Sequence, residues 1–331
     1  MVQRVAKGTK QAILKLLYAH RDAYLSGEKI SQQLDCSRTA VWKHIRELVA
    51  DGYTIDALQK NGYRLTAAPE GVSEAAILTG LETKQLGQEI VFFDQMDSTQ
   101  KKALTLADEG APEGTLVVTN EQVAGRGRLG HSWKSARGAN IAMSLILRPR
   151  LPIDKTPQLT LLTAVAAADA IEELSGLNCQ IKWPNDILYN GAKLVGILTE
   201  LQAESSYVKA VIIGIGINVN TDQEAFSDEL AGKATSLEAI TGVHYDPAKL
   251  IQIFLKRFEL LYTLYLAQGF PAIKPLWISR AASLGKTIKV RQPGGHVLIG
   301  KAIGINDDGV LLLEDSAKKI NCVYSADIEW G

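Results

Sequence analysis

Apolar residues recur at helical spacing from residue 9 to residue 48 and predict three helices. The first helix is expected to begin at its cap Thr9 and the second at Ser26, because serine and threonine side chains satisfy the free N–H groups of a helix start. After a break at residues 35–36, Ser37 is placed to cap the third helix. The apolar stripe of that helix has spacings of four and three and consists of Val41, Ile45 and Leu48. Helices in this order, with a tight turn before the third, are typical of a helix-turn-helix.

A hairpin is predicted directly after the third helix. Asn61-Gly62 separates two short extended runs, and Asn-Gly is the strongest short-range signal for a β-hairpin. Residues 1–67 are therefore predicted to form a winged helix-turn-helix DNA-binding domain, with the hairpin as its wing. The outer face of the third helix carries the residues that we expect to contact DNA, namely Ser37, Arg38, Thr39, Trp42, Lys43 and Arg46.

Charge is distributed unevenly along the chain. The whole sequence has 36 basic and 36 acidic residues, whereas residues 1–65 contain eleven Lys and Arg against six Asp and Glu. A basic first segment favours a polyanionic partner such as DNA. Winged helices also serve as protein–protein modules, so that second interpretation stays open.

Two further domains follow a linker at residues 66–71, where Pro, Gly and small residues interrupt the pattern. Alternating helices and strands predict a central domain of mixed α and β structure over residues 73–280. Its predicted helices are 73–81, 101–109, 160–174 and 247–266, and its predicted strands are 89–94, 115–118, 141–147, 180–182, 193–200 and 208–217. Short apolar runs divided by turns at Pro293-Gly294-Gly295 and Asp307-Asp308-Gly309 predict a small antiparallel barrel over residues 281–331.

A glycine- and arginine-rich run, Gly125-Arg126-Gly127-Arg128-Leu129-Gly130, lies between two predicted strands and leads to Trp133. Glycine lets the backbone pass close to a ligand, and arginine offers planar, bidentate donors for carboxylate or phosphate. The run therefore suits a loop that wraps a small anionic ligand. A solvated basic loop or a nucleic-acid-binding tail is the alternative, although the position between two strands argues against a tail.

Polar residues at other strand ends add candidate binding groups. Ser98 and Thr99, at a strand–helix junction, can offer hydroxyls and backbone N–H groups to a polar ligand, although a plain helix cap explains them equally. Asn185 and Asp186 follow a proline that ends a strand, and they suit ribose or magnesium-phosphate contacts, or an Asn-Asp turn. Lys193 opens an otherwise apolar strand, where it can hold an anion or stabilise charge that develops in acyl transfer.

Several classes of protein are excluded by what the sequence lacks. A P-loop is missing, and Gly214-Ile215-Gly216 lacks the third glycine of a dinucleotide fingerprint. The cysteines Cys36, Cys179 and Cys322 are far apart, which excludes a disulfide framework and favours buried structural thiols. Neither a signal peptide nor a membrane-spanning run is present, so we expect a cytoplasmic protein.

The chain resembles the biotin–protein ligase family, and most closely the bifunctional form that joins a winged helix to the ligase and represses biotin genes. The resemblance covers essentially the whole chain. Its most specific motifs, in this order and spacing, are Gln122 with residues 125–130, Lys182-Trp183-Pro184-Asn185-Asp186, Lys193 with Gly196, and residues 214–219.

The resemblance implies an α/β multidomain fold. It predicts a class II synthetase-like central domain, in which helices cover a mixed sheet, and an SH3-like C-terminal barrel. It also implies an ATP-dependent reaction that first converts biotin to biotinoyl-5′-AMP. The biotin then passes to a lysine in the carboxyl carrier domain of acetyl-CoA carboxylase, pyruvate carboxylase or both. The adenylate would serve as corepressor for a homodimer on operator DNA.

Site residues carried over by this resemblance fall into three groups. Catalysis is expected from Lys193, Arg126 and Arg128. Binding of biotin is expected from Ser98, Thr99, Gln100, Gln122, Arg126, Gly127, Arg128, Lys193 and Gly196. Binding of ATP or the adenylate is expected from Trp133, Lys182, Asn185, Asp186 and Asn218, with Asp186 also holding Mg²⁺.

The sequence departs from the family pattern at three positions. Leu129 and His131 stand where many relatives carry arginine or lysine, and Gln100 stands where asparagine is common. Three alternatives to the bifunctional interpretation remain. They are a ligase whose winged helix no longer reads DNA, a regulator with an inactive ligand-binding domain, and a relative that transfers lipoate or octanoate.

Overall fold

The computed structural model describes residues 2–133, 136–204, 207–226, 232–292, 296–324 and 326–330. The chain divides into two compact units, Met1–Leu81 and Glu82–Gly331. Each unit has a hydrophobic core of its own.

The N-terminal unit is a winged helix-turn-helix, as predicted. Its elements are α1 (Val2–Ala19), α2 (Gly27–Gln33), α3 (Arg38–Ala50), β1 (Thr54–Leu58), β2 (Gly62–Ala67) and α4 (Glu74–Thr79). The Ser26 and Ser37 side chains accept hydrogen bonds from the backbone N–H groups of Lys29 and Ala40, both at 3.1 Å, so the two predicted caps are confirmed. The predicted cap Thr9 is wrong, because α1 already begins at Val2 and Thr9 lies inside it.

The wing is confirmed, with a difference in detail at its turn. Leu58 pairs with Gly62, so the loop consists of residues 59–61 and Gly62 is the first residue of β2. Gly62 has a φ of +110°, and a β-carbon there would lie 2.0 Å from the carbonyl oxygen of Leu25. Glycine is therefore required where the wing meets the segment before α2.

The core of this unit joins the predicted stripe of α3 to helix α1. Val41, Ile45 and Leu48 are buried together with Ile13, and Ala75 of α4 belongs to the same core. The compact unit thus extends to Leu81 and includes a helix that the sequence had assigned to the central domain.

The second unit contains the strands β3 (Ile90–Met96), β4 (Leu116–Gln122), β5 (Gly125–Arg126), β6 (Ser132–Trp133), β7 (Asn140–Leu147), β8 (Gln180–Lys182), β9 (Asp186–Tyr189), β10 (Ala192–Glu204) and β11 (Tyr207–Asn218). Seven of these strands form a mixed sheet in the order β3-β4-β7-β11-β10-β9-β8. Strands β3 and β4 run parallel, and the other neighbours are antiparallel, which confirms the predicted mixed sheet. A separate two-stranded hairpin is formed by β5 and β6.

Helices pack against this sheet and against each other. They are α5 (Thr99–Asp108), α6 (Thr156–Ser175), α7 (Leu237–Thr241), α8 (Pro247–Gln268) and α9 (Lys274–Arg280). Helix α5 packs on β4, β7 and β11, and α6 lies against β10 and α8. Helix α6 is buried on nearly all sides, and for this reason its sequence is apolar throughout and lacks a polar face.

Five antiparallel strands form the C-terminal part of this unit. They are β12 (Thr287–Arg291), β13 (Val297–Ile305), β14 (Leu311–Glu314), β15 (Ile320–Val323) and β16 (Asp327–Trp330), in the order β15-β14-β13-β12-β16. In the described ranges the edge strands β15 and β16 do not pair, so the SH3-like sheet is not a closed barrel. The turn at 307–309 joins β13 to β14, whereas the predicted turn at 293–295 lies outside the described residues.

The structure tests two expectations from the sequence, namely that the cysteines are buried structural thiols and that the chain has no membrane-spanning segment. Burial raises the pKa of the Cys179 thiol to about 12, which fits an inert structural residue. Cys36 is half-buried and Cys322 is exposed, so the buried-thiol interpretation holds for Cys179 alone. In the part of the chain that the structure covers, every helix is too short or too polar to cross a membrane.

Candidate functional site

One pocket in the second unit is lined by residues of the glycine- and arginine-rich run and by polar residues at strand ends. Strands β3 and β4 run parallel, so their carboxyl ends meet at one edge of the sheet, where Met96 is opposite Gln122. The glycine-rich hairpin of β5 and β6 lies at the same place. Every residue that was predicted to bind biotin lines this pocket, namely Ser98, Thr99, Gln100, Gln122, Arg126, Gly127, Arg128, Lys193 and Gly196.

Uncharged polar groups form the deep end of the pocket. Ser98, Thr99 and Gln100 are each at most 3 % exposed. Ser98 caps α5, which confirms the predicted cap. The backbone N–H and the hydroxyl of Thr99 both donate to Oε1 of Gln122, at 2.8 and 3.1 Å. The two strand ends are thereby joined by the half-buried amide of Gln122, which is held in one orientation.

Ser144 of β7 completes this polar group, and the sequence analysis did not identify it. Its hydroxyl oxygen lies 2.9 Å from Oγ1 of Thr99 and 3.0 Å from Oε1 of Gln100. Gly214 is opposite Ser144 on β11, and a β-carbon there would lie 2.5 Å from Oε1 of Gln100. The glycine therefore makes room for the longer side chain that replaces the common asparagine at position 100.

The glycine- and arginine-rich run is a closed hairpin and not a solvated tail. Gly125 pairs with Trp133, and the N–H of Gly127 donates to the carbonyl of His131 at 2.7 Å. A β-carbon at Gly125 would lie 2.4 Å from the carbonyl oxygen of Trp133, so the close pairing requires glycine. Because both strands of the hairpin contribute residues to the pocket lining, the hairpin forms one of its walls.

The indole of Trp133 packs on two glycines of the sheet. Gly196 and Gly216 are opposite each other on β10 and β11. A β-carbon at Gly216 would lie 2.3 Å from the indole, and one at Gly196 would lie 3.0 Å from it. The indole Nε1 is buried, with no hydrogen-bond partner in the described part of the chain. The two glycines thus form a flat slot that fits an aromatic ring.

Lys193 and Asp186 form an ion pair at the edge of the pocket. Nζ of Lys193 lies 2.6 Å from Oδ1 of Asp186 and 5.9 Å from the centre of the Trp133 ring. Strands β9 and β10 are antiparallel neighbours, which brings the two charges together. The Lys193 ammonium is therefore held over the pocket by a carboxylate that the sequence analysis assigned to Mg²⁺.

The two arginines of the hairpin have different surroundings. Nη1 of Arg128 donates to Oδ1 of Asn185 at 3.1 Å and lies 3.9 Å from the Asp327 carboxylate of β16. Burial lowers the pKa of the Arg128 guanidinium, while Asp327 and Asp186 act in the opposite direction. Arg126 is exposed, and across the described residues its side chain makes no hydrogen bond or ion pair. Arg128 is thus preorganised, whereas Arg126 is available to a ligand.

A second cavity lies beside the first. It shares Gly127, Arg128, Trp133, Asn185 and Lys193 with the pocket, and it adds Lys182, Asp186 and Asp327. The cationic side chains of Arg128 and Lys193 therefore lie at the junction of two adjoining cavities. Asn218 is not among the residues that line either cavity, because its amide donates to the carbonyls of Thr235 at 3.0 Å and Lys193 at 3.5 Å.

The winged helix presents a separate polar surface. All the residues predicted to contact DNA are exposed along α3 or at its start, namely Ser37, Arg38, Thr39, Trp42, Lys43 and Arg46. The Arg46 guanidinium lies 4.9 Å from the centre of the Trp42 ring, and Trp42 is 51 % exposed. Arg38 and Trp42 also line a groove whose other side is the wing residue Lys60. This surface is basic and concave, and it is formed by a helix, which is the element that enters a DNA major groove.

Comparison with protein families divides the chain into matched segments. Residues 92–218 match the Biotin/lipoate A/B protein ligase family, and residues 9–64 match an HTH domain. Residues 283–331 match the Biotin protein ligase C terminal domain. The pocket and the α3 surface each lie within a matched segment.

Whole-chain similarity decides the family. The chain is 51 % identical over 322 residues to the bifunctional ligase/repressor BirA of Bacillus subtilis (strain 168). The aligned region covers 97 % of this chain and 98 % of that protein. The chain belongs to the bifunctional ligase/repressor family. The bifunctional ligase/repressor BirA of Escherichia coli (strain K12) is 28 % identical over 289 residues, covering 87 % of this chain and 88 % of the relative. The ligase/repressor family is thus matched across both units.

A solved structure supports the ligase fold of this family member. The biotin protein ligase from Aquifex aeolicus in complex with biotin and ATP has a TM-score of 0.64 and 28 % identity, covering 73 % of this chain and 98 % of that one. The sequence analysis did not identify Ser144 and Asp327, which line the two cavities, and it named Gly216 only as part of a family motif. A small residue in the middle of a buried strand gives no sequence signal for a binding role.

Proposed function

We propose that this chain is an ATP-dependent biotin–protein ligase that also represses transcription in response to biotin. The observation that carries the proposal is the division of the pocket into a deep, uncharged polar end and a cationic junction with a second cavity. Biotin has a matching division, since its ureido ring is polar and uncharged and its other end is a carboxylate. The second cavity then receives the nucleotide.

In the first step the biotin carboxylate attacks the α-phosphorus of ATP. A bond forms between a carboxylate oxygen and the α-phosphorus, the bond to the β-phosphate oxygen breaks, and pyrophosphate leaves. Negative charge increases on the α-phosphate oxygens, beside Lys193, Arg126 and Arg128. Fixed cations stabilise such developing charge more effectively than water does, because they need no reorganisation during the reaction.

Asp186 and Lys193 have linked roles in this scheme. A phosphate or acyl oxygen near Nζ competes with Asp186 for the ammonium. The described residues contain no cluster of three or more metal-ligating side chains, but Mg²⁺ commonly uses one carboxylate together with ATP phosphates and water. Asp186 fits that requirement, and Mg²⁺ bound there would neutralise phosphate charge.

In the second step a lysine amine of a carrier domain attacks the acyl carbon of the adenylate. An amide bond forms, the bond to the phosphate oxygen breaks, and AMP leaves. The glycine-rich hairpin forms a wall of the pocket, so it limits access of water to the mixed anhydride. We propose carboxyl carrier domains of acetyl-CoA carboxylase or pyruvate carboxylase as acceptors, in the cytoplasm.

The decisive experiment for the enzyme is transfer of labelled biotin to a carboxyl-carrier peptide with ATP and Mg²⁺. We expect label in the peptide only when ATP is present. A protein that catalyses neither this transfer nor biotin-dependent pyrophosphate exchange would be a regulator with an inactive domain, and the proposal would fail.

A lipoate- or octanoate-transferring enzyme is the second candidate, because the matched family includes lipoate ligases by name. The buried hydroxyls and amides at the deep end argue against it, since a dithiolane or alkyl chain would leave them without partners. Direct competition of biotin against lipoate in adenylation distinguishes the two candidates.

The repressor function rests on the exposed basic surface of α3 and the wing. A single winged helix offers little contact area, so we propose that the adenylate favours a homodimer that places two such surfaces on a palindromic operator. Operator binding measured with biotin and ATP, with each alone, and with neither tests this proposal. Equal affinity in all four conditions would leave a ligase without biotin-responsive repression.

A further inference from the structure

Arg64 is a basic residue of the wing that is already engaged within its own domain. It lies on β2 directly opposite Asp56 of β1, and its Nη2 is 3.5 Å from Oδ2 of that carboxylate. Its guanidinium carbon lies 4.6 Å from the centre of the Tyr24 ring, a distance that allows a cation–π contact. The positive charge of Arg64 is therefore shared with an acid and an aromatic ring of the same domain.

Tyr24 connects this ion pair to the helices. It lies in the segment between α1 and α2, and its hydroxyl donates to Oδ2 of Asp56, the oxygen that Arg64 also approaches. The hydrogen bond to Asp56 raises the pKa of the Tyr24 phenol, which therefore remains a donor at neutral pH. Tyr24, Asp56 and Arg64 form a wing triad, in which each residue contacts the other two.

The backbone supplies a second attachment of the wing. The N–H of Leu25 donates to the Tyr63 carbonyl at 2.9 Å, and the N–H of Tyr63 donates to the Leu25 carbonyl at 2.8 Å. This bridge attaches β2 at one point, and a two-stranded hairpin held at one point can pivot about it. The wing triad attaches β1 to the same segment between α1 and α2. The two attachments together therefore fix the angle of the wing.

The angle of the wing sets the width of the groove between the wing and α3. Arg38 and Trp42 lie on the helix wall of this groove, and Leu58 and Lys60 lie on the wing wall. Trp42 is 51 % exposed and Leu58 is 49 % exposed. Basic groups on both walls, together with exposed apolar surface, fit a sugar–phosphate backbone, because its phosphates are anionic and its sugars are partly apolar.

We propose that the residues of the wing triad are positioning residues that hold Lys60 against a DNA phosphate. The inference rests on the proposed repressor function, in which α3 and the wing bind an operator. Charge alone would make Asp56 a group that repels DNA. The geometry gives Asp56 the opposite effect, because its carboxylate holds the strand that leads to Lys60.

The test measures operator affinity of the full-length protein with biotin and ATP, at one salt concentration. If charge alone matters, removal of an acid near DNA strengthens binding. We expect Asp56→Ala instead to weaken operator binding about fivefold, the upper range for an exposed ion pair. Tyr24→Phe removes one oxygen and no charge, and it should weaken binding about threefold. The matched control is Asp22→Ala, which removes another exposed acid of the same segment and should not weaken binding.

A double-mutant cycle with Lys60→Gln separates positioning from a general loss of stability. If the triad acts through Lys60, Asp56→Ala should weaken binding by less than about twofold once Lys60 is replaced. An equal loss in both backgrounds, or affinity of Asp56→Ala at or above that of wild type, would overturn the inference.

Two further measurements keep the outcomes distinct. If Asp56→Ala does not fold, Tyr24→Phe measured with and without Lys60→Gln answers the same question, and additive losses would overturn the inference. Biotin transfer should stay normal in every folded variant, because the triad lies in the N-terminal unit. Wild type that transfers biotin but binds no operator would refute the proposed repressor function itself.

Discussion

The Lys193 ammonium and the Asp186 carboxylate lie 2.6 Å apart on neighbouring strands, at the junction of the two cavities. In the proposed reaction, this pair holds the ammonium near the acyl carbonyl and the α-phosphate. Opposite charge at this distance keeps Lys193 in place until a more strongly negative group competes for it.

Removing Lys193 should abolish adenylation without unfolding the protein. We expect Lys193→Ala to reduce the rate of biotin-dependent pyrophosphate exchange by about 10²- to 10³-fold, because a fixed donor to the developing charge is lost. Lys209→Ala, at another lysine that pairs with an aspartate on the surface, is the control. Pyrophosphate exchange near the wild-type rate would exclude Lys193 from the mechanism.

Arg126 should retain the adenylate once it has formed. Its guanidinium is exposed and uncommitted across the described residues, so Arg126→Gly should raise the off-rate of biotinoyl-5′-AMP by about tenfold, within the range of charged hydrogen bonds. Stopped-flow release of the labelled adenylate measures this rate. Arg137→Ala, which removes an exposed arginine paired with Asp94, should leave it unchanged. An unaltered off-rate in Arg126→Gly would contradict the assignment.

The slot under Trp133 can be tested by filling it. In Gly216→Ala the new β-carbon would lie 2.3 Å from the indole and displace the ring. We expect the KM values of biotin and ATP to rise at least about tenfold, since the displaced ring disturbs both cavities. Gly304→Ala is the matched control, because no atom lies within 4 Å of the new β-carbon there. Normal kinetics for Gly216→Ala would show that the ring position is unimportant.

We expect the wing to be needed for operator binding but not for biotin transfer. Gly62→Ala places a β-carbon 2.0 Å from the Leu25 carbonyl at a residue with positive φ, so the base of the wing must shift. Operator affinity should fall more than about tenfold, and biotin transfer should remain normal. Gly8→Ala, where no atom lies within 4 Å, should alter neither. Loss of transfer in Gly62→Ala would mean that the wing also serves catalysis.

Local sequence patterns predicted helix starts correctly where a serine lies directly before a helical run. Ser26, Ser37 and Ser98 cap helices because each lies directly before an apolar or amphipathic run. Thr9 failed as a cap, since the residues before it continue the helix and no local signal marks its start. The extent of the first unit was also not visible locally, because Ala75 joins that core through packing across the chain.

The sequence by itself determined most of the helices and strands and the position of the glycine- and arginine-rich run between two strands, because these depend on local spacing and residue type. The family resemblance supplied the candidate residues that line the pocket. Only the tertiary structure decided which groups interact there. Ser144 meets Thr99 because the start of α5 packs on β7, and Asp186 meets Lys193 because β9 pairs with β10. Such contacts depend on strand register between distant segments, and a one-residue shift would turn each side chain to the other face of the sheet.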